Sequence, residues 1–199
     1  MDYQTIIDYY YPNDNALRRL LLKHSSDVAR KALAICDRHP ELHLDRDFVE
    51  AAAMLHDIGI CQCDAPGISC FGTRPYIQHG LAGAQMIETE DAAFKALPVF
   101  NGADVLIKEK LARVCQRHTG AGITRAEVVA QQLPLPLPDD DSEPYMPETP
   151  EEQVVCFADK FFSKTKLLQE KTYEQAERSL MKFGEEGLER FRQWAAIFM

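Results

Sequence analysis

No stretch of the 199-residue sequence approaches the roughly 20 consecutive apolar residues of a membrane span. The opening residues, MDYQTIIDYYYPNDN, carry neither the basic nor the apolar segment of an export signal. Positive charge is also in deficit: 22 Lys and Arg stand against 31 Asp and Glu, a net charge of −9. That balance argues against a nucleic-acid backbone or a membrane surface as partner, so any phosphate must be met by local groups. Strand-rich segments, internal repeats and inter-domain linkers are missing too. Six cysteines, Cys36, Cys61, Cys63, Cys70, Cys115 and Cys156, do not make a disulfide scaffold in a chain of this size. They read as free thiols of a reducing, cytoplasmic compartment. Cys61, Cys63 and Cys70 crowd together, but no second pair at structural-zinc spacing answers them.

What the sequence does have is helical periodicity, and its length suits one well-filled core and a single domain over 1–199. After a short helix near Tyr3 to Tyr10, Leu17, Leu21, His24, Val28, Ala32 and Ile35 recur at spacings of three and four, with Asn13 or Asp14 able to cap the start and Pro40 closing it. A second long pattern, LDRDFVEAAAMLHDIG, opens with acids and is expected to end at Gly59. A third begins near Tyr76 and carries His79, Gly83, Met86 and Ile87 on one stripe. In DVLIKEKLARVCQRHTG one face holds Ile107, Leu111, Val114 and His118, and the run stops at Gly120. Residues Leu133 to Pro150 contain six of the eleven prolines and must be an extended loop. Thr149, Pro150 and Glu152 then supply an N-cap, an N1 proline and a capping-box acid for a helix with Val155, Asp159 and Phe162 in line. The last amphipathic segment, 172–199, is expected to break near Gly184 and Gly187 and to pack on the core or on a second subunit.

Five of these helices place a metal-ligand type where an apolar residue is expected: His24, His56 with Asp57, His79, His118 and Asp159. Any one of them alone reads as a hydrogen-bonded core residue. Burying each unpartnered costs a few kcal/mol, about as much again as a whole domain's margin when repeated five times. A shared divalent ion removes these penalties together. Imidazole nitrogens and carboxylate oxygens without an evident thiolate suit iron, manganese, nickel or zinc better than calcium.

The ordered set His24, His56-Asp57, His79, His118 and Asp159, with MLHDIGI around the pair, resembles the HD-domain superfamily in its HDIG variant, over roughly Leu20 to Lys164. RHTGAGIT and PYMPETPEEQVVCFADK are similar to a subgroup of small HDIG proteins. The resemblance implies an all-α helical bundle with a buried metal site and a metal-dependent phosphohydrolase activity. It implies His24, His56, Asp57 and Asp159 as ligands of a first ion, with His79 and His118 completing a second and Asp57 bridging the two. Two such cations a few Å apart activate a water for in-line attack on phosphorus, so no Ser or Cys nucleophile is needed. The expected substrate is a small phosphorylated metabolite or nucleotide, a phosphomonoester or phosphoanhydride, acted on by a monomer or homo-oligomer. Two alternatives stay open: a mixed-valence di-iron oxygenase, since relatives of myo-inositol oxygenase use the same six ligands, and a non-catalytic module that senses a nucleotide or metal.

Helper residues are less sharply marked. Many HDIG proteins follow the glycine with a lysine, where this chain has Ile60. Lys160, Arg74 and Arg125 are the candidates to contact substrate instead, with Lys160 equally open to a plain ion pair. Asp64, seven residues beyond Asp57, either ends a turn or serves as a general acid. His39 and His43 flank Pro40 and read as surface residues. The Pro-rich loop is a lid, a pocket wall or a spacer.

Overall fold

The computed structural model of the protein describes residues 1–100, 106–166, 169–181 and 184–199. Its described helices are α1 (Tyr3–Tyr10), α2 (Ala16–Arg38), α3 (Arg46–Leu55), α4 (His79–Ile87), α5 (Ala92–Lys95), α6 (Leu106–Arg117), α7 (Arg125–Ala130), α8 (Pro150–Asp159), α9 (Tyr173–Leu180) and α10 (Glu185–Phe198). The fold is all-α apart from one antiparallel pair of two-residue strands, β1 (Asp64–Ala65) and β2 (Cys70–Phe71), in the turn region after α3. Among the described residues no helix is long and apolar enough to cross a membrane.

Helix starts follow local chemistry. Asn15, Asp45, Thr149 and Thr172 each accept a hydrogen bond from the backbone N–H three residues on, satisfying a donor the helix leaves orphaned. The N-cap of α2 is Asn15, one or two residues later than Asn13 or Asp14. α3 packs on α2, α4 on α6, and α8 on both α2 and α3. One cluster of buried apolar residues runs from Ile6 and Ile7 through α2, α3 and α8 to Phe191 and Phe198. The C-terminal segment breaks at Gly184, which has φ of 107°, whereas Gly187 continues α10. α10 packs on α8: Phe157 stacks on Phe191 with centroids 5.0 Å apart and meets Phe198 at 5.5 Å.

Two expected boundaries move. α3 ends at Leu55, and Ile58–Gln62 forms a 3-10 turn, so His56 and Asp57 stand at the change of helix type and not within a helix. Gly59 is not a left-handed helix cap. It is required because a Cβ there would meet backbone atoms of Gly83 and His79 at 2.2 and 2.3 Å. α8 likewise stops at Asp159 and gives way to a series of turns, because Lys160, Phe161 and Phe162 bond carbonyls only three residues back. Asp104 and Val105 of the expected helix DVLIKEKLARVCQRHTG, and Leu167 and Leu168 beyond α8, lie outside the described residues.

The Pro-rich loop does not wall the principal cavity. It forms a small cluster of its own, in which Leu135 and Tyr145 pack with Ile123 and Val128. Tyr145 donates its hydroxyl to the Pro136 carbonyl at 2.6 Å, and Ile123 pairs with Tyr145 backbone to backbone.

Candidate metal centre

Six side chains converge in the core: His24, His56, Asp57, His79, His118 and Asp159, all buried, with the three imidazoles from His56, His79 and His118 in ring contact through His118. Only His24 comes from the middle of a helix, on the buried face it shares with Leu21 and Val28. The others sit where helices begin or end: His56 and Asp57 follow α3, His79 opens α4, His118 follows α6 and Asp159 closes α8. Helix ends thus aim five groups at one point.

The same local device orients three of the rings. Nδ1 of His56, His79 and His118 lies 2.6, 2.7 and 2.7 Å from the carbonyl three residues earlier, those of Ala53, Tyr76 and Cys115. A carbonyl can only accept, so each Nδ1 carries a proton and each Nε2 points inward, as a bare lone pair on His79 and His118. Tyr76 also stacks on His79, with centroids 4.7 Å apart. His24 is arranged differently, its Nε2 donating to Asp159 Oδ1 at 2.9 Å.

Asp57 divides the cluster. Its Oδ2 lies 3.1 Å from His24 Nε2 and 3.2 Å from His56 Nε2, with Asp159 Oδ1 3.6 Å from the same His56 atom. Its Oδ1 lies 3.5 Å from His79 Nε2 and 3.4 Å from His118 Nε2. Three overlapping triads, His24–His56–Asp57, His56–His118–Asp159 and Asp57–His79–His118, have ligand atoms within 4.8 Å of one another.

Two features mark this as a cation site and not a self-satisfied polar core. Nε2 of His56 and Oδ1 of Asp57 are buried without a well-directed hydrogen bond, despite their close neighbours. Nε2 of His79 also faces Nε2 of His118 at 2.9 Å. Burial and the neighbouring imidazole hold His79 down at about 3, and burial holds His118 below its ordinary value, so both rings are neutral and two lone pairs confront each other. A cation between the rings and the carboxylate turns those repulsions and orphaned atoms into ligand bonds. The donor set fits a divalent transition metal, and no cysteine joins any such grouping among the described residues. All six cysteines are free thiols. Those nearest the cluster are spent on backbone carbonyls, Cys115 on Leu55 at 3.3 Å and Cys156 on His118 at 3.2 Å.

Charge balance comes from two lysines. Lys160 Nζ lies 2.7 Å from Asp159 Oδ2 and donates to the His118 carbonyl at 3.0 Å. Lys164 Nζ lies 2.7 Å from Asp57 Oδ2. Burial opposes ionisation of both carboxylates, but Lys164 beside Asp57 and Lys160 beside Asp159 hold them well below the usual carboxylate range. Burial alone would lower His56, yet the Asp57 and Asp159 carboxylates bring it up to about 9. A cavity of about 580 Å³ opens onto the cluster at His79, His118 and Asp159, and its lining includes Lys160, Lys164 and Lys171 together with Ile68, Tyr76, Phe162 and Leu180.

Of the helper residues expected from the sequence, Lys160 alone reaches this cavity. Asp64 is exposed on β1 and pairs with Phe71 across the turn, outside the cavity lining. Arg74 closes that turn, its backbone bonded to Asp64 and Gln62, and does not line the cavity. Arg125 is occupied with the Pro-rich loop, its guanidinium donating to the Pro138 carbonyl at 3.0 Å and its amide to Glu143 at 2.7 Å. Ile60 is fully buried in the core. Lys164 is not marked by periodicity, because it stands beyond the end of α8; its only signal is a cation within a turn of a ligand carboxylate.

The family described as HD domain matches residues 21–163. The chain is 32% identical over 149 residues to a tRNA (cytidine(56)-2'-O)-methyltransferase of Picrophilus torridus, and 30% identical over 148 residues to the protein of that name in Thermoplasma volcanium. The match covers 75% and 74% of this chain but 33% of each relative, so it spans about a third of their length. The uncharacterized protein MJ0778 of Methanocaldococcus jannaschii is 29% identical over 151 residues, 75% of this chain and 70% of that protein. No solved structure matches the chain.

Proposed function

Because the chain belongs to the HD domain family, a metal-dependent hydrolase-type family, we propose that it is a phosphohydrolase cleaving a phosphomonoester or phosphoanhydride of a nucleotide or other small metabolite in the cytoplasm. The observation that carries the reading is the split of Asp57, whose two oxygens face separate histidine pairs, one of which, His79 and His118, lines a cavity that Lys160, Lys164 and Lys171 also line. His24, His56, Asp57 and Asp159 would hold one divalent ion, and Asp57, His79 and His118 a second. Such a pair, of iron, manganese, nickel or zinc, acidifies water and stabilises phosphoryl oxygens as charge builds on them.

The chain's own groups do the rest. Lys160 and Lys164 bring two ammonium groups to the inner wall, where they attract the phosphate and offset the charge of the two aspartates. Ile68, Tyr76, Phe162 and Leu180 supply the apolar part of the lining and limit water around the reacting phosphorus. The Nδ1 bonds of His56, His79 and His118 to helix carbonyls fix the rings before substrate arrives, so no reorientation is required. Water adds to phosphorus, the P–O bond to the leaving group breaks, and phosphate and the protonated leaving group depart. Asp64, Arg74 and Arg125 have no part in this scheme because they lie outside the cavity. The methyl-transfer activity named for two relatives is not part of the proposal, since it describes proteins three times the matched length.

The test is a panel of phosphate esters and anhydrides, p-nitrophenyl phosphate and nucleotides included, assayed for phosphate release with oxygen uptake followed in parallel. The proposal predicts phosphate release that depends on added metal and is lost in His56→Ala. Oxygen consumption by iron-loaded protein that cleaves no ester or anhydride would overturn it in favour of an oxygenase.

A further inference from the structure

Beyond the cluster the cavity does not end. A second chamber of about 400 Å³ adjoins it and shares Ser163, Thr165, Lys171 and Ser179 with it, but touches none of the six clustered residues. Its chemistry differs from that of the inner chamber. The segment 163–166 reads Ser-Lys-Thr-Lys, alternating hydroxyls with ammonium groups: Lys164 lines the inner chamber and Lys166 the outer one. The turn is fixed by its own hydroxyls, Ser163 Oγ lying 3.0 Å from Thr165 Oγ1 and accepting the Thr165 N–H at 3.3 Å. Lys171 is held in place by donating to the Lys160 carbonyl at 3.0 Å and to Ser179 Oγ at 3.3 Å. One carboxylate, Glu170, borders the chamber, but it is already committed to Lys31 at 2.8 Å and Arg30 at 3.4 Å. Among the described residues no carboxylate pairs with Lys166.

In a protein of net charge −9, a chamber with two lysines, the hydroxyl pair of Ser163 and Thr165 and a neutralised acid is an unusual concentration of groups that receive an anion. We propose that it is a second anion subsite, and that the substrate carries, besides the phosphate cleaved at the cluster, a second phosphate or carboxylate seated by Lys166, Lys171 and the hydroxyl pair of Ser163 and Thr165. The proposal rests on the phosphohydrolase reading and narrows its substrates to doubly anionic small molecules. The apolar residues Ile68, Tyr76, Phe162 and Leu180 of the inner chamber are then available to the carbon framework of such a molecule.

Non-hydrolysable probes test the subsite without reference to turnover. Calorimetric titration of metal-loaded protein would compare propylphosphonate, propane-1,3-diphosphonate and 3-phosphonopropanoate, alongside longer diphosphonates of four and five carbons. At least one diphosphonate is expected to bind about tenfold or more tightly than the monophosphonate, the scale of one charge-assisted contact. The carboxylate compound shows whether the second group must be a phosphate. Lys166→Ala, an exposed change, and Lys171→Gln, checked by its melting temperature, should each remove most of that ratio. Equal affinities, no binding of any probe, or a ratio that survives both substitutions would overturn the subsite, while phosphate release measured separately would leave the hydrolase reading standing. A diphosphonate preference lost on substitution, in protein that cleaves no ester, would uphold the subsite and overturn the hydrolase.

Discussion

Replacing Gly59 by alanine tests how the turn after α3 registers the two halves of the cluster. The added Cβ would lie 2.2 Å from Gly83 N, 2.3 Å from the His79 carbonyl oxygen and 2.8 Å from Gly83 Cα, all backbone atoms with no rotamer to yield. Ordinary contact begins at 3.4 Å, so the turn and α4 must part by about 3.4 − 2.2 = 1.2 Å. Forcing a packed core apart by that much costs about 1–3 kcal/mol. The displacement falls on one histidine in particular, because His79 opens α4 and its Nε2 stands 3.5 Å from Asp57 Oδ1 and 2.9 Å from His118 Nε2. His24 and Asp159 come from α2 and α8, elements separate from this turn, and His56 follows α3 directly, whereas His79 belongs to the helix that the added Cβ would push. Gly59→Ala should therefore lose the ion at His79 and His118 first and retain the other. Metal counting on desalted protein, with guanidinium unfolding of the same sample, is expected to show about one ion per chain fewer than wild type and a stability loss of about 1–3 kcal/mol. Full metal content with unchanged stability would refute the reasoning.

Other perturbations have separate readouts. With His56 at about 9 and His79 at about 3, metal-free protein at pH 7 carries its cluster proton on His56, which must leave before Nε2 can bind a cation. Binding should release close to one proton per chain and strengthen about tenfold per pH unit up to about pH 9, as calorimetry in buffers of different ionisation enthalpy would show; no proton release at pH 7 would contradict this. Lys164→Met removes an ammonium that shares Asp57 Oδ2, so metal affinity should rise while kcat/KM for a phosphate ester falls about 10- to 100-fold; unchanged values of both would exclude Lys164 from the site. Tyr11→Phe deletes a buried hydroxyl that donates to the Ile58 carbonyl at 2.7 Å and accepts from Cys61 N–H at 3.2 Å. It should destabilise the protein by about 1–3 kcal/mol in denaturant titration, whereas a neutral effect would show that the turn is held otherwise.

The helices are legible in the sequence wherever an apolar stripe and a cap coincide, as in α2 and α8, and His24 falls on its buried face from the spacing of Leu21 and Val28. The six clustered residues are also legible, as polar exceptions on apolar faces. Spacing does not convey that five of them stand at helix ends, where periodicity stops carrying information and ring direction depends on a carbonyl three residues back. Gly59 is obscured for the same reason: a glycine after a helix looks like a cap, and only the approach of α4 shows the close contact. Arg125 looks available in the sequence because its partner, the Pro-rich loop, is structured by tertiary contacts. Lys164 escapes notice because it follows α8 in a turn, where a charged residue carries no periodic signature. The lysines proposed to contact substrate stand at the end of α8 and in the turns after it, so the chemistry of the cluster is easier to read than the shape of what it would act on.

The central claim is that Asp57 bridges two ions, one on each side of its carboxylate. Anomalous diffraction from crystals grown with manganese tests it most directly. The account predicts two peaks per chain, one among His24, His56, Asp57 and Asp159 and the other among Asp57, His79 and His118. A single peak, or density at Cys61, Cys63 or Cys70 in place of the histidines, would contradict it.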